Sequence, residues 1–348
     1  MRNFIYSLMT DKKNSPIFVP IKWLLYAASL LYGLAIIVRG MLYEWGVFKS
    51  GKLPMKVISV GNITLGGTGK TPFVIMLAGL IKSEIKRDAC ILIRGYGWDE
   101  QAMLKKNLPD NPILVGEDRA RSGRRAIRLY GSDTAILDDG FQHWELARDM
   151  DIVLIDSRNP FGNGHLFPRG ILRETKYSIK RADVAVLTKT DEARSGVDAL
   201  KNELKKINSG LIFVEARHRS AYFYSAKLNK VFEPAFIKGR RVILLSSIGD
   251  PSYFEDTMRS LGADIADHII FPDHHDYRKK DMEDVAKLCD EKAFEFIVTT
   301  EKDMVKLNRL GLHAGSYHTL ILAIELEIIS GKEELSDRLH SLYIRKAP

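Results

Sequence analysis

Residues 61–72 read Gly-Asn-Ile-Thr-Leu-Gly-Gly-Thr-Gly-Lys-Thr-Pro, a glycine-rich turn that ends in Gly-Lys-Thr. A turn of this type between a strand and a helix can hold phosphates. Glycines let backbone N–H groups face phosphate oxygens, the helix N-terminus adds a positive dipole end, and Lys70 supplies a point charge. Thr64, Gly66, Gly67, Thr68, Gly69, Lys70 and Thr71 are the nucleotide-binding residues on this reading, and the Thr71 hydroxyl can ligate Mg²⁺. Pro72 falls in the first helical turn, where its missing N–H costs little. The usual G-x-x-x-x-G-K-[S/T] pattern has glycine where this chain has Thr64. A second constellation is Thr-Ala-Ile-Leu-Asp-Asp at 134–139, an apolar run ending in two adjacent acids and followed closely by Gln142 and His143. Two acids pointing into one cleft are costly without a cation, so Asp138 and Asp139 are expected on the metal side of a bound nucleotide.

The elements that must position these groups alternate. The run at 56–60 is β-branched and apolar, and Phe73, Met76, Leu77, Leu80 and Ile81 recur at helical spacing after the loop. Short apolar runs at 89–93, 113–115, 134–137, 151–155 and 184–187 predict a parallel sheet covered on both faces, a doubly wound α/β core. In such sheets ligands gather at the carboxyl ends of strands. Residues 94–97, 138–143, Asp156 and 189–191 occupy those ends and are strongly polar. The segment 211–238 is irregular, aromatic and basic, and reads as a linker or small hairpin. A second α/β series follows, with strands expected at 242–246, 265–271, 294–299 and 320–329 and helices near 251–261, 279–292 and 332–342. The expected division is an arm at 1–52, a core domain at 53–210, a hinge at 211–240 and a smaller domain at 241–348.

Composition narrows the class. At 348 residues with 45% apolar and 28% charged content, the chain can fold into two domains with real cores. Cys90 and Cys289 are too few for a disulfide framework and lack metal spacing, which suits a reducing compartment. The net charge of +8 is concentrated at the start, where residues 1–56 carry eight basic against two acidic side chains. That arm contains the uncharged apolar run 23–38, followed by Met41, Leu42, Tyr43, Trp45, Val47 and Phe48. A basic, aromatic-rich apolar arm points to an anionic membrane surface before nucleic acid. At 1.5 Å per residue the run spans roughly 24 Å, short of the ~30 Å hydrocarbon core, so a helix lying in or dipping into the bilayer is expected.

Six segments together resemble the tetraacyldisaccharide 4'-kinase family, the lipid A 4'-kinases of Gram-negative bacteria. They are VGNITLGGTGKTP at 60–72, RGYG at 94–97, LDDGFQH at 137–143, FGNGHLFPRGILRE at 161–174, FPDHH at 271–275 and TEKDMVKL at 300–307. The resemblance implies a P-loop NTPase-like sheet, a second, smaller α/β domain and an N-terminal membrane-associated helix. It implies ATP and Mg²⁺ as cofactors, and transfer to the 4'-hydroxyl of a lipid disaccharide 1-phosphate at the cytoplasmic face of the bacterial inner membrane by a monomer. On this resemblance Lys70 is expected to bridge the β- and γ-phosphates, Thr71 and Asp138 to hold Mg²⁺, Asp139, Gln142 and Glu100 to complete or orient its shell, and Arg173 and Glu174 to be active-site residues.

The family's long loop after Arg-Gly-Tyr-Gly, which leads to Gly-Asp-Glu-Pro and the catalytic base, is nearly absent here. Glu117 lies in Val-Gly-Glu-Asp-Arg, which better matches a later family segment, while Asp99-Glu100-Gln101 falls at the right spacing. The resemblance therefore implies Asp99 as the base, paired across two domains with His274 and with His275 as a competing neighbour. An alternative is a P-loop switch or metal-insertase ATPase at the membrane, although Leu65 stands where its variant loop has lysine. A nucleotide-binding membrane scaffold is a third class.

Overall fold

The computed structural model describes residues 2–344 apart from 12, 14, 96, 192–193, 226–229, 293, 295 and 311–317. Tyr96 of the Arg-Gly-Tyr-Gly segment thus lies outside the described residues. In chain order the first half comprises α1 (Arg2–Met9), α2 (Val19–Glu44), β1 (Lys56–Asn62), α3 (Lys70–Leu80), β2 (Cys90–Ile93), α4 (Trp98–Asn107), β3 (Ile113–Val115), α5 (Arg119–Tyr130), β4 (Thr134–Asp138), β5 (Met150–Asp156), β6 (Val184–Thr188) and α6 (Arg194–Ile207). Then come β7 (Ile212–Ser225), β8 (Lys230–Phe232), β9 (Arg241–Ser246), α7 (Pro251–Ser260), β10 (Asp264–Ile270), α8 (Lys279–Lys292), β11 (Phe296–Thr300), α9 (Glu301–Asn308), β12 (His318–Ser330) and α10 (Lys332–Ser341).

The first of two compact units holds residues 1–95, 110–217 and 326–348. Its parallel strands run β3-β2-β4-β1-β5-β6-β7. The central strands are mostly apolar because helices cover both faces: Val57, Ile58 and Val60 of β1 and Ile152 and Val153 of β5 are almost fully buried. Val60 pairs with Asp138 and Gly61 with Val153, so the phosphate loop leaves the carboxyl end of β1 beside the acids that end β4. Gly61 is required there by close approach. A Cβ at that position would sit 2.6 Å from Phe141 Cβ and 2.7 Å from its amide nitrogen. Both cysteines are buried and free.

Helix α2 belongs to this unit and exceeds the expected apolar run, at 26 residues or about 39 Å. Pro20 sits in its first turn and Gly46, at φ 72°, follows its end. It is long and apolar enough to cross a membrane, with a mean hydropathy of 1.9, but only 11% of that window is buried, so it is not a core helix. One stripe packs on its own unit. Gly33 meets Leu166, where a Cβ would come within 2.8 Å of Cδ1, and Tyr26, Tyr32 and Tyr43 contact the rings of His165, Phe167 and Trp144. The remaining surface presents Trp23, Leu24, Leu30, Leu31, Leu34, Ile37 and Val38 to solvent.

The second unit holds residues 96–109 and 218–325. Its parallel strands run β10-β9-β11-β12, and β8 pairs antiparallel with the end of β7. These boundaries differ from the expected ones in three ways. Residues 96–109 group with the second unit instead of the 53–210 core. Lys106 of α4 ion-pairs Glu301 (2.7 Å) and bonds the Tyr224 hydroxyl (2.8 Å), and Trp98 Nε1 donates to Asp276 (3.2 Å). Residues 326–348 return to the first unit, with Arg338 on Asp183 (2.8 Å). The expected hinge at 211–240 is mostly strand, since β7 runs 14 residues with alternating burial and passes from one unit into the other, as β12 does in reverse.

Candidate functional site

The first unit builds its site around Asn62, fully buried at the end of β1. Its Nδ2 donates to Thr68 Oγ1 (3.1 Å), its Oδ1 accepts from Lys70 Nζ (3.3 Å) and Arg173 Nη1 (3.2 Å), and its carbonyl accepts from Gln142 Nε2 (2.9 Å). The loop turns through Gly66 (φ 120°) and Gly69 (φ 84°), the latter immediately before α3, so Lys70 and Thr71 occupy the first turn of that helix. Thr64 is not in the left-handed region and its backbone bridges Leu172, so this chain needs no glycine there. The same pairing straps the loop down. Leu65 N donates to Ile171 O (2.7 Å), and Arg173 N to Ile63 O (2.7 Å), which aims the Arg173 side chain into the loop.

Asp139, at φ 52°, takes a bidentate pair from Arg173 (2.7 and 3.1 Å) and lies 3.6 Å from Lys70 Nζ. Burial raises its pKa, but Lys70 and Arg173 outweigh burial and hold the carboxyl well below the usual carboxylate range. Both Asp139 oxygens are engaged by guanidinium. The buried Asp138 carboxylate, the Thr71 hydroxyl and Gln142 are therefore the remaining oxygen donors from the expected metal set in this unit. Gln142 Oε1 is buried without a hydrogen-bond partner. Among the described residues no group of three or more His, Cys, Asp or Glu could hold a metal by itself. Glu174 follows Arg173 on the same strap. It is buried in a bidentate pair with Arg181 (2.7 and 2.8 Å), whose guanidinium covers the Phe141 ring at 3.9 Å, a contact that supports the turn after β4. The His143 imidazole is pulled down to about 4 by burial, with Arg119 and Arg148 adding to it.

The second unit carries the other group. Asp99 and His274 were expected to meet across two domains, yet both belong to this unit and are already paired, with Nδ1 3.2 Å from Oδ2. Asp99 opens α4, and its side chain is 3% exposed against 37% for His274, so the imidazole is the member that meets solvent. His274 sits at φ 59° beside Gly97, where a Cβ would clash with Asp99 Oδ1 at 2.7 Å. Burial raises the Asp99 pKa, and the hydrogen bond from His274 together with Lys302 and Lys306 reverses this, holding the carboxyl well below its usual range.

Those lysines and Asp303 come from the 300–307 segment, and their roles were not foreseen. Lys306, 2% exposed, reaches Asp99 (3.5 Å) and Asp303 (3.4 Å), while Lys302 Nζ stands 3.9 Å from Asp99, 3.2 Å from Asp273 and 3.5 Å from His274 Nε2. Asp303 accepts from the Ser247 amide and hydroxyl, Tyr277 and Thr300, which fixes the start of α9. Two lysines and an aspartate at i, i+1 and i+4 on a short helix were the available signal. Glu100 lies in this unit, 3.9 Å from Lys302. His275 is turned to Asp281 (2.9 Å), which removes it as the rival of His274.

Comparison with known proteins shows the family of this chain. A family model described as tetraacyldisaccharide-1-P 4'-kinase (LpxK) matches residues 21–101 and 98–343. A tetraacyldisaccharide 4'-kinase of Syntrophus aciditrophicus is 37% identical over 318 residues, covering 83% of this chain and 85% of its own. One from Halothermothrix orenii is 34% identical, with coverage of 91% and 92%. Among solved structures, the "apo" form of LpxK from Aquifex aeolicus in complex with ATP matches with a TM-score of 0.71 at 29% identity, over 93% of this chain and 99% of that one. The phosphate loop, the paired acids and the Asp99–His274 dyad are thus carried by a chain that belongs to the tetraacyldisaccharide 4'-kinase family.

Proposed function

We propose that this protein transfers the γ-phosphoryl group of ATP to the 4'-hydroxyl of a tetraacyldisaccharide 1-phosphate in lipid A biosynthesis. The observation that carries the reading is Lys70, held at the head of α3 by Asn62 and Asp139 in a chain of this family. Phosphoryl transfer depends on positioning and charge neutralisation. The loop amides and Lys70 bind the phosphates, and Arg173, pinned by Asp139, adds a fixed positive charge beside them. Mg²⁺ is a hard cation that takes oxygen ligands and keeps several waters, so Thr71, Asp138 and the unpartnered Gln142 oxygen suit an ion carried in with the nucleotide. When bound, it neutralises charge on the phosphates.

On the acceptor side the dyad exchanges the expected roles. Asp99 is buried and ionised, so it accepts the Nδ1 hydrogen of His274 and orients the ring, and Nε2, with Lys302 Nζ 3.5 Å away, is the atom that takes the sugar hydroxyl proton. Helix α2, docked along one stripe and apolar on the rest, suits a membrane interface better than a full span, which lipid would surround. ATP is available on the cytoplasmic side, where a lipid headgroup can be reached from α2.

Three measurements test this. Incubation with γ-labelled ATP and a membrane lipid extract should give a labelled lipid, and Lys70→Ala should abolish it with the fold intact. ATP hydrolysis without any labelled lipid would favour the switch-ATPase reading. His274→Ala and Asp99→Asn should each lower kcat by about 10²- to 10⁴-fold with ATP affinity little changed, and the double variant should be scarcely worse than the weaker single. Glu117→Ala should be mild; if it abolished turnover while Asp99→Asn did not, the carboxylate that orients the base would be misassigned. Finally, replacing Leu24, Leu31 and Leu34 together with Gln should release the protein from anionic vesicles, and salt should weaken binding of the unaltered chain. Undiminished sedimentation of that variant would put the anchor elsewhere.

A further inference from the structure

The parallel strands fix where a nucleotide can extend from the phosphate loop. Strand β6 lies two strands from β1, about 10 Å away at ~4.8 Å per strand, a distance a nucleoside can span. On the other side of β1 the corresponding edge is filled by Asp138, Asp139 and Arg173. The carboxyl end of β6 touches the loop directly, as Thr188 Oγ1 donates to Thr68 O (3.2 Å).

The chain then turns sharply at Lys189 (φ 58°), whose buried ammonium pairs with Asp156 (2.5 Å), and Thr190 is tied to Ala216 O by its amide (3.4 Å) and its hydroxyl (3.3 Å). This turn opens a cavity of about 320 Å³ lined by Thr190, Asp191, Glu215, Arg217 and Glu327, all in the first unit. Its charges are mostly engaged: Glu215 pairs with Lys201, and Arg217 with Glu327 at 2.8 Å. Asp191 lies within electrostatic reach of Arg217, yet its Oδ1 is buried with no hydrogen-bond partner among the described residues. A buried carboxylate oxygen left open is costly unless a donor arrives with a ligand.

We propose that this cavity holds the purine base of the nucleotide and that Asp191 accepts a hydrogen bond from the base's exocyclic amine. The inference rests on the reading of this chain as an ATP-dependent kinase, and it adds the residue that selects the base. Phosphates are held at β1 and α3, and the base is read at β6.

The test is equilibrium binding of ADP and of purine riboside diphosphate, the same nucleotide without the 6-amino group, to the full chain. The unaltered protein should prefer ADP by about tenfold, as for one charge-assisted hydrogen bond. Asp191→Ala should reduce that preference to under twofold by weakening ADP alone, while Asp191→Asn, which keeps an acceptor oxygen, should retain most of it. Equal binding of the two nucleotides by the unaltered protein, or an undiminished preference in Asp191→Ala, would overturn the proposal. Because no lipid is involved, Asp191-dependent binding without lipid phosphorylation would instead count against the kinase reading alone.

Discussion

The amide of Asn62 is the interaction on which the phosphate end of this protein depends. It is fully buried at the end of β1, and one side chain plus its carbonyl receives or gives four hydrogen bonds, to Thr68, Lys70, Arg173 and Gln142. Those partners come from the loop, the first turn of α3, the strap at 171–173 and the turn after β4. A single planar group with both donor and acceptor therefore fixes the relative placement of Lys70 and Arg173. A carboxylate there could accept from the cations but could not donate to Thr68, and an apolar residue could do neither.

Each unit keeps one carboxylate ionised by surrounding it with fixed cations: Asp139, whose side chain is 41% exposed, by Lys70 and Arg173, and the buried Asp99 by His274, Lys302 and Lys306. A buried charge such as Asp99 is tolerable only when paired and hydrogen-bonded, and in both units the pairing holds the cations as firmly as the anion. The functional gain is preorganisation, since Lys70, Arg173 and the imidazole of His274 are aimed before any substrate arrives.

Much of this was legible in the sequence because it is local. The phosphate loop, the strand ending in Asp138 and Asp139, and the alternating strands and helices each lie within one short window, where glycine placement and apolar period decide the structure. What was not legible depends on partners distant in sequence. Helix α4 joins the second unit because Lys106 finds Glu301 nearly two hundred residues later, and Asp99 pairs with His274 inside that unit for the same reason. The pairing of Glu174 with Arg181, which takes up both its oxygens, was likewise not legible. Residues 212–225 read as linker because aromatic and basic side chains obscure the alternation of a strand that is only half-buried. Asn62 itself was passed over: a lone asparagine carries no pattern, and its importance lies in what converges on it.

The most direct test of this account is the steady-state kinetics of Asn62→Ala, measured with saturating ATP and lipid acceptor alongside the ATP dissociation constant. Lys70, Arg173 and Asp139 all remain, so nucleotide binding should change little. Loss of their common anchor should misplace them, and misplacement of about 1 Å lowers turnover by on the order of 10²-fold. Turnover in Asn62→Ala equal to that of the unaltered protein would contradict the claim that this buried amide organises the site.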